Sequence, residues 1–212
     1  MSTFQADLKA LIEKDADMAR AYELAGLPAS RSRVPGFASL LRIIVNQQLS
    51  VHAARAIWDR LEKGLGRVTP KAVLGASDDD LRAFGLSRGK VRYARALGEA
   101  VAAEKLDLDG LDCLDDDAVR GELTKITGVG RWTADIYLMF ALDRRDVWPA
   151  GDLALAEAAG RLLRLPARPG PEEMDAIGTH WRPWRTAAAV MLWHFLKRAR
   201  SLPGDGDFFS KT

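Results

Sequence analysis

The 212-residue sequence has one cysteine, Cys113. A lone thiol cannot close an internal disulfide and cannot supply the roughly four thiolates of an iron–sulfur cluster. No apolar run approaches the roughly 20 residues of a bilayer-spanning helix, so no membrane partner is expected. The N-terminal stretch Met1–Arg20 sets acids within its apolar pattern and lacks a signal peptide's layout; a cytoplasmic location is expected. Runs of alternating strand pattern are missing, as is any period of 20–50 residues, which excludes a solenoid. His52, His180 and His194 lack metal-ligand spacing and read as ordinary surface or core side chains.

What is present is a chain 48% hydrophobic with a net charge of only +2, long enough to bury a sizeable core and too apolar for wholesale disorder. The charge is unevenly spread. Residues 31–100 carry 13 basic against 6 acidic side chains, a surface that could face DNA, while residues 101–117 carry 7 acids and one lysine and read as a solvated loop. Arginine outnumbers lysine 22 to 9; the planar fork suits phosphate, and a GC-rich genome would give the same ratio.

Apolar periodicity predicts helices over Phe4–Leu24, Phe37–Leu61, Pro70–Gly75, Asp78–Phe84, Ser87–Ala103, Asp116–Ile126, Gly130–Leu142, Asp152–Leu165, Glu172–His180 and Pro183–Arg200. Within the last, AAAVMLWHFL is apolar on nearly every side and should be buried, with Trp184 as core. The tail Ser201–Thr212 is expected to fray. The pattern is all-α: two helical lobes with a cleft between them.

The sharpest local signal is LTKITGVGRWTADIYLMFAL, Leu123–Leu142. Gly128 and Gly130 allow positive φ and close backbone approach, and the helix that follows offers free N–H groups at its positive dipole end. Such a turn can hold a phosphate. It also serves as a tight helix–turn–helix without a ligand. Further on, Asp152 follows Pro149-Ala150-Gly151 and opens a helix. An aspartate there is an N-cap in most proteins, and a capping carboxylate stays ionised. On the hairpin helix, Asp135 reads as a surface acid.

ITGVGRWTADIYLMF resembles the helix–hairpin–helix of the HhH-GPD DNA glycosylase superfamily, which includes endonuclease III and 3-methyladenine DNA glycosylase II; Thr127 stands where that motif usually has proline. GVGRWTA fits the GxGxWTA typical of the 3-methyladenine branch, and the WRPWR core at Trp181–Arg185 resembles that branch's WKPWRSYA segment. With GLSRGKVRYARALGEAV at residues 85–101 and IIVNQQLSVHAARAI upstream, the resemblance spans Phe37–Phe195. It implies one glycosylase unit over 1–212, with lobes 38–150 and 1–37 plus 151–212. At this length the compact form of the family is expected, without the extra N-terminal α/β domain of longer members.

The resemblance implies Asp152 as the catalytic carboxylate, and a base pocket of Trp132, Trp193, Ile136 and Leu153. The last two stand where the branch often has aromatics. It places DNA contacts at Gly128, Val129, Gly130, Arg131, Thr133, Gln47, Gln48 and Ser50, with Gln48 as the wedge that fills the gap left by a flipped base. The carbonyls of Thr124, Ile126 and Val129 would hold a structural monovalent cation, sodium or potassium; no cofactor is required. Bifunctional members carry a lysine two residues after the second hairpin glycine, where this chain has Trp132, and an indole cannot form a Schiff base. The implied activity is a monofunctional glycosylase without lyase activity. It would act as a bacterial monomer on duplex DNA carrying 3-methyladenine, 7-methylguanine or, more widely, 1-methyladenine, 3-methylcytosine or ethenoadenine. Two alternatives stay open: a non-catalytic module that binds damaged DNA, and a glycosylase for oxidised or mismatched purines.

Overall fold

The computed structural model describes residues 2–29 and 32–201. Among them are twelve α-helices, one 3-10 helix and no strand, as expected for an all-α chain. None of these helices is long and apolar enough to cross a membrane. The chain divides into two compact units: a terminal unit, Met1–Arg31 with Arg144–Thr212, and a central unit, Ser32–Asp143.

The terminal unit holds α1 (Thr3–Lys14), α2 (Ala16–Ala25), α10 (Leu153–Leu162), α11 (Pro171–Thr179) and α12 (Arg185–Ala199). α12 packs against α1, α2 and α10, which explains its apolar circumference: Ala187–Leu192 and Leu196 are all buried. The single helix predicted over Phe4–Leu24 is in fact two. Asp15 adopts an extended backbone, and its carboxylate accepts the Met18 N–H at 2.8 Å as the cap of α2. The apolar repeat Leu8, Leu11, Met18, Ala21 runs through the break, so periodicity alone conceals it.

Trp184 is likewise not a core residue of α12. It caps the helix, half-exposed, with the Lys14 ammonium 4.7 Å from its ring centre. The core tryptophan of that block is Trp181, 2% exposed, whose indole N–H donates to Asp15 at 2.9 Å. Of the tail expected to fray, residues 202–212 lie outside the described residues.

The central unit holds α3 (Phe37–Asn46), α4 (Val51–Leu65), α5 (Pro70–Gly75), α6 (Asp78–Ala83), α7 (Arg88–Ala102), α8 (Asp116–Thr124) and α9 (Arg131–Phe140). α3 touches α4, α7 and α9, and buries Leu40, Leu41, Ile43, Ile44 and Val45. The helix expected over Phe37–Leu61 breaks at 47–50, where Ser50 caps α4 by accepting the Ala53 N–H at 3.2 Å. The acidic stretch is more ordered than a solvated loop. Leu106, Leu108 and Leu111 sink into the unit, Asp107 accepts the N–H groups of Asp109 and Gly110, and Gly110–Cys113 forms the 3-10 helix.

Candidate active site and nucleic-acid interface

The hairpin is built from local fits. α8 ends at Thr124; the Ile126 N–H then donates to the Leu123 carbonyl at 3.1 Å, and the Val129 N–H to the Ile126 carbonyl at 3.0 Å. Ile126 and Val129 are buried and anchor the turn. Gly128 has φ +91°, and a Cβ there would lie 2.2 Å from the Tyr93 ring, so both conformation and space demand glycine. Gly130 differs. Its φ is −94°, a Cβ would meet nothing within 4 Å, and it heads α9 without a side-chain cap. Nothing among the described residues requires glycine here. Its bareness leaves the α9 N-terminus exposed beside Arg131, which is also exposed.

Beside the hairpin lies the 47–50 turn. The Gln47 side-chain amide donates to the Gly128 carbonyl at 3.0 Å and to Thr133 Oγ1 at 2.8 Å. Thr133 is 2% exposed, so its hydroxyl and the Gln47 amide are engaged inside the central unit rather than presented to solvent. Gln48 is exposed at the apex with φ +55°, a left-handed conformation costing roughly 1–2 kcal/mol for a residue with a side chain. Leu49 and Val51 flank it, both exposed, and the exposed Ser50 hydroxyl is used in capping. Sequence reasoning missed Lys90, whose ammonium donates to the carbonyls of Val45 (2.7 Å) and Gln47 (2.8 Å). Partial burial holds its pKa below the usual lysine value.

On α9, Trp132 is half-buried and Ile136 is buried. Asp135 is not the surface acid expected. It is 1% exposed and paired at 2.7 Å with Arg120, which also reaches Asp117. The pair joins α8 to α9 behind the turn. Burial pushes the Asp135 carboxyl above the usual carboxylate range, with Arg120 pulling against it.

The expected cation donors, the carbonyls of Thr124, Ile126 and Val129, lie at the C-terminal end of α8 and in the turn beyond it. Neutral oxygen donors at the negative end of a helix dipole suit a hard monovalent ion, and these residues fit one.

In the terminal unit, Pro149–Asp152 forms a tight turn closed by the Asp152 N–H on the Pro149 carbonyl at 2.9 Å. Asp152 caps α10, and its Oδ1 accepts the Leu155 N–H at 2.7 Å and the Trp193 indole N–H at 3.1 Å. The capping reading and the catalytic one therefore share a carboxylate. Trp193, half-buried on α12, is set against the acid by its N–H, and Leu153 beside it is 69% exposed, a large apolar side chain open to solvent. The structure thus brings together Asp152, Leu153 and Trp193 in the terminal unit. In the central unit it brings together Gln47, Gly128 and Thr133.

The loop leading to Asp152 is braced along its length. Arg145 pairs with the buried Asp7; Arg185 grips Asp146 through both carboxylate oxygens (2.7 and 2.9 Å) and through its carbonyl (2.7 Å). Thr186 Oγ1 donates to the Arg144 carbonyl at 2.7 Å and accepts the Val147 N–H at 3.2 Å. Trp148 donates to the Met174 carbonyl at 2.8 Å and meets Trp181 edge-on, ring centres 5.2 Å apart. The WRPWR block thereby acquires physical roles: a core tryptophan, a helix cap and a clamp on the acid's loop. Sequence reasoning missed the clamp, because its partners lie 39 residues apart. His52 and His180 are exposed, the His194 ring bonds the Ala25 carbonyl, and the described residues contain no group of three or more His, Cys, Asp or Glu able to hold a metal.

Residues 41–183 match the family described as HhH-GPD superfamily base excision DNA repair protein. The chain is similar to DNA-3-methyladenine glycosylase 1 of Schizosaccharomyces pombe, 32% identical over 167 residues that cover 77% of this chain and 73% of the relative. Among solved structures it is similar to an S. pombe 3-methyladenine DNA glycosylase in complex with abasic DNA, with a TM-score of 0.84, 29% identity, and coverage of 93% of this chain and 98% of that one. A DNA-3-methyladenine glycosidase from Bacillus halodurans gives a TM-score of 0.75 at 33% identity, covering 90% and 88%. Hairpin, capped aspartate and family match agree: this chain belongs to the HhH-GPD superfamily of base excision DNA repair proteins.

Proposed function

We propose that the protein is a monofunctional DNA glycosylase that removes alkylated bases from duplex DNA, with 3-methyladenine and 7-methylguanine as the leading substrates. The observation that carries this reading is the Asp152 carboxylate, held by the Leu155 and Trp193 N–H groups beside an exposed Leu153. The names of the relatives support the choice of 3-methyladenine.

The base must leave the stack to be cut. Breaking the N-glycosidic bond sends its electron pair to the base and leaves positive charge on the deoxyribose. The Asp152 carboxylate stabilises that charge and orients the attacking water, whose proton is lost as the C1′–O bond forms. A base alkylated on a ring nitrogen already carries positive charge and departs neutral, so the scheme needs no separate acid. 1-Methyladenine and 3-methylcytosine, cationic near neutral pH, extend the range; ethenoadenine extends it further but is neutral and must take a proton from solvent as it leaves. Trp193 offers an aromatic face as well as the N–H that fixes the acid, with roughly 0.5–2 kcal/mol available from a cationic base; Leu153, Trp132 and Ile136 are the other base-contacting candidates. The bare Gly130 and the open α9 N-terminus seat a backbone phosphate, with the Thr124, Ile126 and Val129 carbonyls suited to a sodium or potassium ion behind it. Gln48, at the exposed apex of its turn, fills the gap in the stack. With Trp132 in place of a lysine, hydrolysis stops at the abasic site.

The test is base release from methylated duplex DNA by wild type and Asp152→Asn. Wild type should release methylated purines in preference to 8-oxoguanine or mispaired adenine, and the variant should be slower by about 10²–10³-fold. Borohydride should trap no covalent adduct with abasic DNA. Equal release by both proteins would remove Asp152 from the mechanism; binding without release of any base would favour a damage-sensing module.

A further inference from the structure

We infer that Lys90 is a positioning residue that, with Gln47, holds the 47–50 turn and the hairpin as one rigid piece; the inference rests on the reading that the 47–50 turn enters the DNA stack. The apex is held in an unfavourable conformation, Gln48 at φ +55°, without glycine to relieve it. Bonds on its N-terminal side hold it there. Lys90 donates to the Val45 and Gln47 carbonyls, and the Gln47 amide donates across to Gly128 and Thr133. Three residues along α7 from Lys90, and so on the same side of that helix, Tyr93 packs against Gly128. One helix thus pins both turns, Lys90 the first and Tyr93 the second, and Gln47 ties them directly.

The choice of a lysine is informative. Its ammonium, half-buried, faces two main-chain carbonyls at the C-terminal end of α3, where the helix dipole favours a cation. A partly desolvated charge is thereby devoted to a turn whose own side chains, Gln48, Leu49 and Ser50, are exposed and add nothing to the core. Strain held in place by such a group at a solvent-facing apex points to a preorganised contact rather than to packing.

A misplaced wedge should matter most when the lesion must be prised from a stable pair, and little when the base is already unstacked. The experiment compares single-turnover release of one methylated purine from a fully paired duplex and from a bulge. Lys90→Met should slow release from the paired duplex by about 10–100-fold, as Gln48→Ala should, and release from the bulge by less than about threefold. In a Cys113→Ser background, Lys90→Cys treated with bromoethylamine regains the ammonium and should recover the paired-duplex rate. Equal loss on both substrates, or no recovery, would overturn the positioning role. Amide hydrogen exchange at residues 46–50 and 128–130 supplies a second measurement. Lys90→Met should accelerate exchange in both turns, and unchanged exchange would overturn the bracket. If wild type released no methylated base at all, the glycosylase reading would fail while exchange still judged the bracket.

Discussion

The loop that delivers Asp152 and the hairpin that ends at Gly130 do similar work, each setting a short turn at the head of a helix, yet the protein secures them differently. The loop is braced by charge: Arg145 on Asp7 and Arg185 on Asp146, with Val147 and Trp148 driven inward. The hairpin is braced by shape: Gly128 under the Tyr93 ring, Ile126 and Val129 buried, and the neutral amide of Gln47 across the turn. Partly solvated ion pairs are screened by salt, whereas a steric fit is not. The placement of the acid should therefore respond to charge substitutions and salt, and the hairpin to added volume.

The sharpest contrast lies within the hairpin. Gly128→Ala must accept both a left-handed backbone and a clash with Tyr93, and should destabilise the fold by about 3 kcal/mol in denaturant unfolding. Gly130→Ala has an ordinary backbone and open space, so its stability should stay within about 1 kcal/mol of wild type. Its affinity for undamaged duplex should nonetheless drop, because a methyl group would stand at the proposed phosphate contact. Equal stability loss in the two variants would break the assignment of shape to one glycine and access to the other.

A smaller effect tests the charged brace. Arg185→Met removes every bond that the guanidinium makes to Asp146, and both partners are only partly buried, so the loss should be about 1–2 kcal/mol. Single-turnover excision should slow by about tenfold while the dissociation constant for duplex DNA stays within about twofold, since the hairpin is untouched. Raising salt should narrow the gap between variant and wild type. A variant that loses affinity and rate together would show that the clamp supports more than the acid's loop.

What the sequence reveals here follows the reach of each interaction. The hairpin is written in the five consecutive residues Ile126–Gly130, with apolar Ile126 and Val129 marking the anchors and two glycines the turn, so it can be read directly. Asp152 is also legible, because capping is settled within three residues of the acid. The braces are not. Gln47 finds Gly128 and Thr133 at separations of 81 and 86 residues, and Arg185 finds Asp146 at 39. Asp135 looked like a surface acid because nothing nearby announces that Arg120, one helix earlier, would follow it into the interior. The breaks at Asp15 and at 47–50 were hidden for the opposite reason: the apolar repeat continues through them.

Asp135 is an exception to the division between charge and shape, since it sets a charge behind the sterically braced hairpin. Its carboxyl is raised above the ordinary 3.8, chiefly by burial. As pH climbs from that value through the raised one, the folded protein holds a proton that the unfolded chain has already released, and stability falls across the window. Asp135→Asn lacks this ionisation, and Arg120 keeps its contact with Asp117. Thermal unfolding at a series of pH values from about 4 upward should therefore show wild type losing ground to Asp135→Asn as pH rises. A difference moving the other way would mean that Arg120 outweighs burial, and would make the staple between α8 and α9 an electrostatic brace of the same kind as the one on the acid's loop.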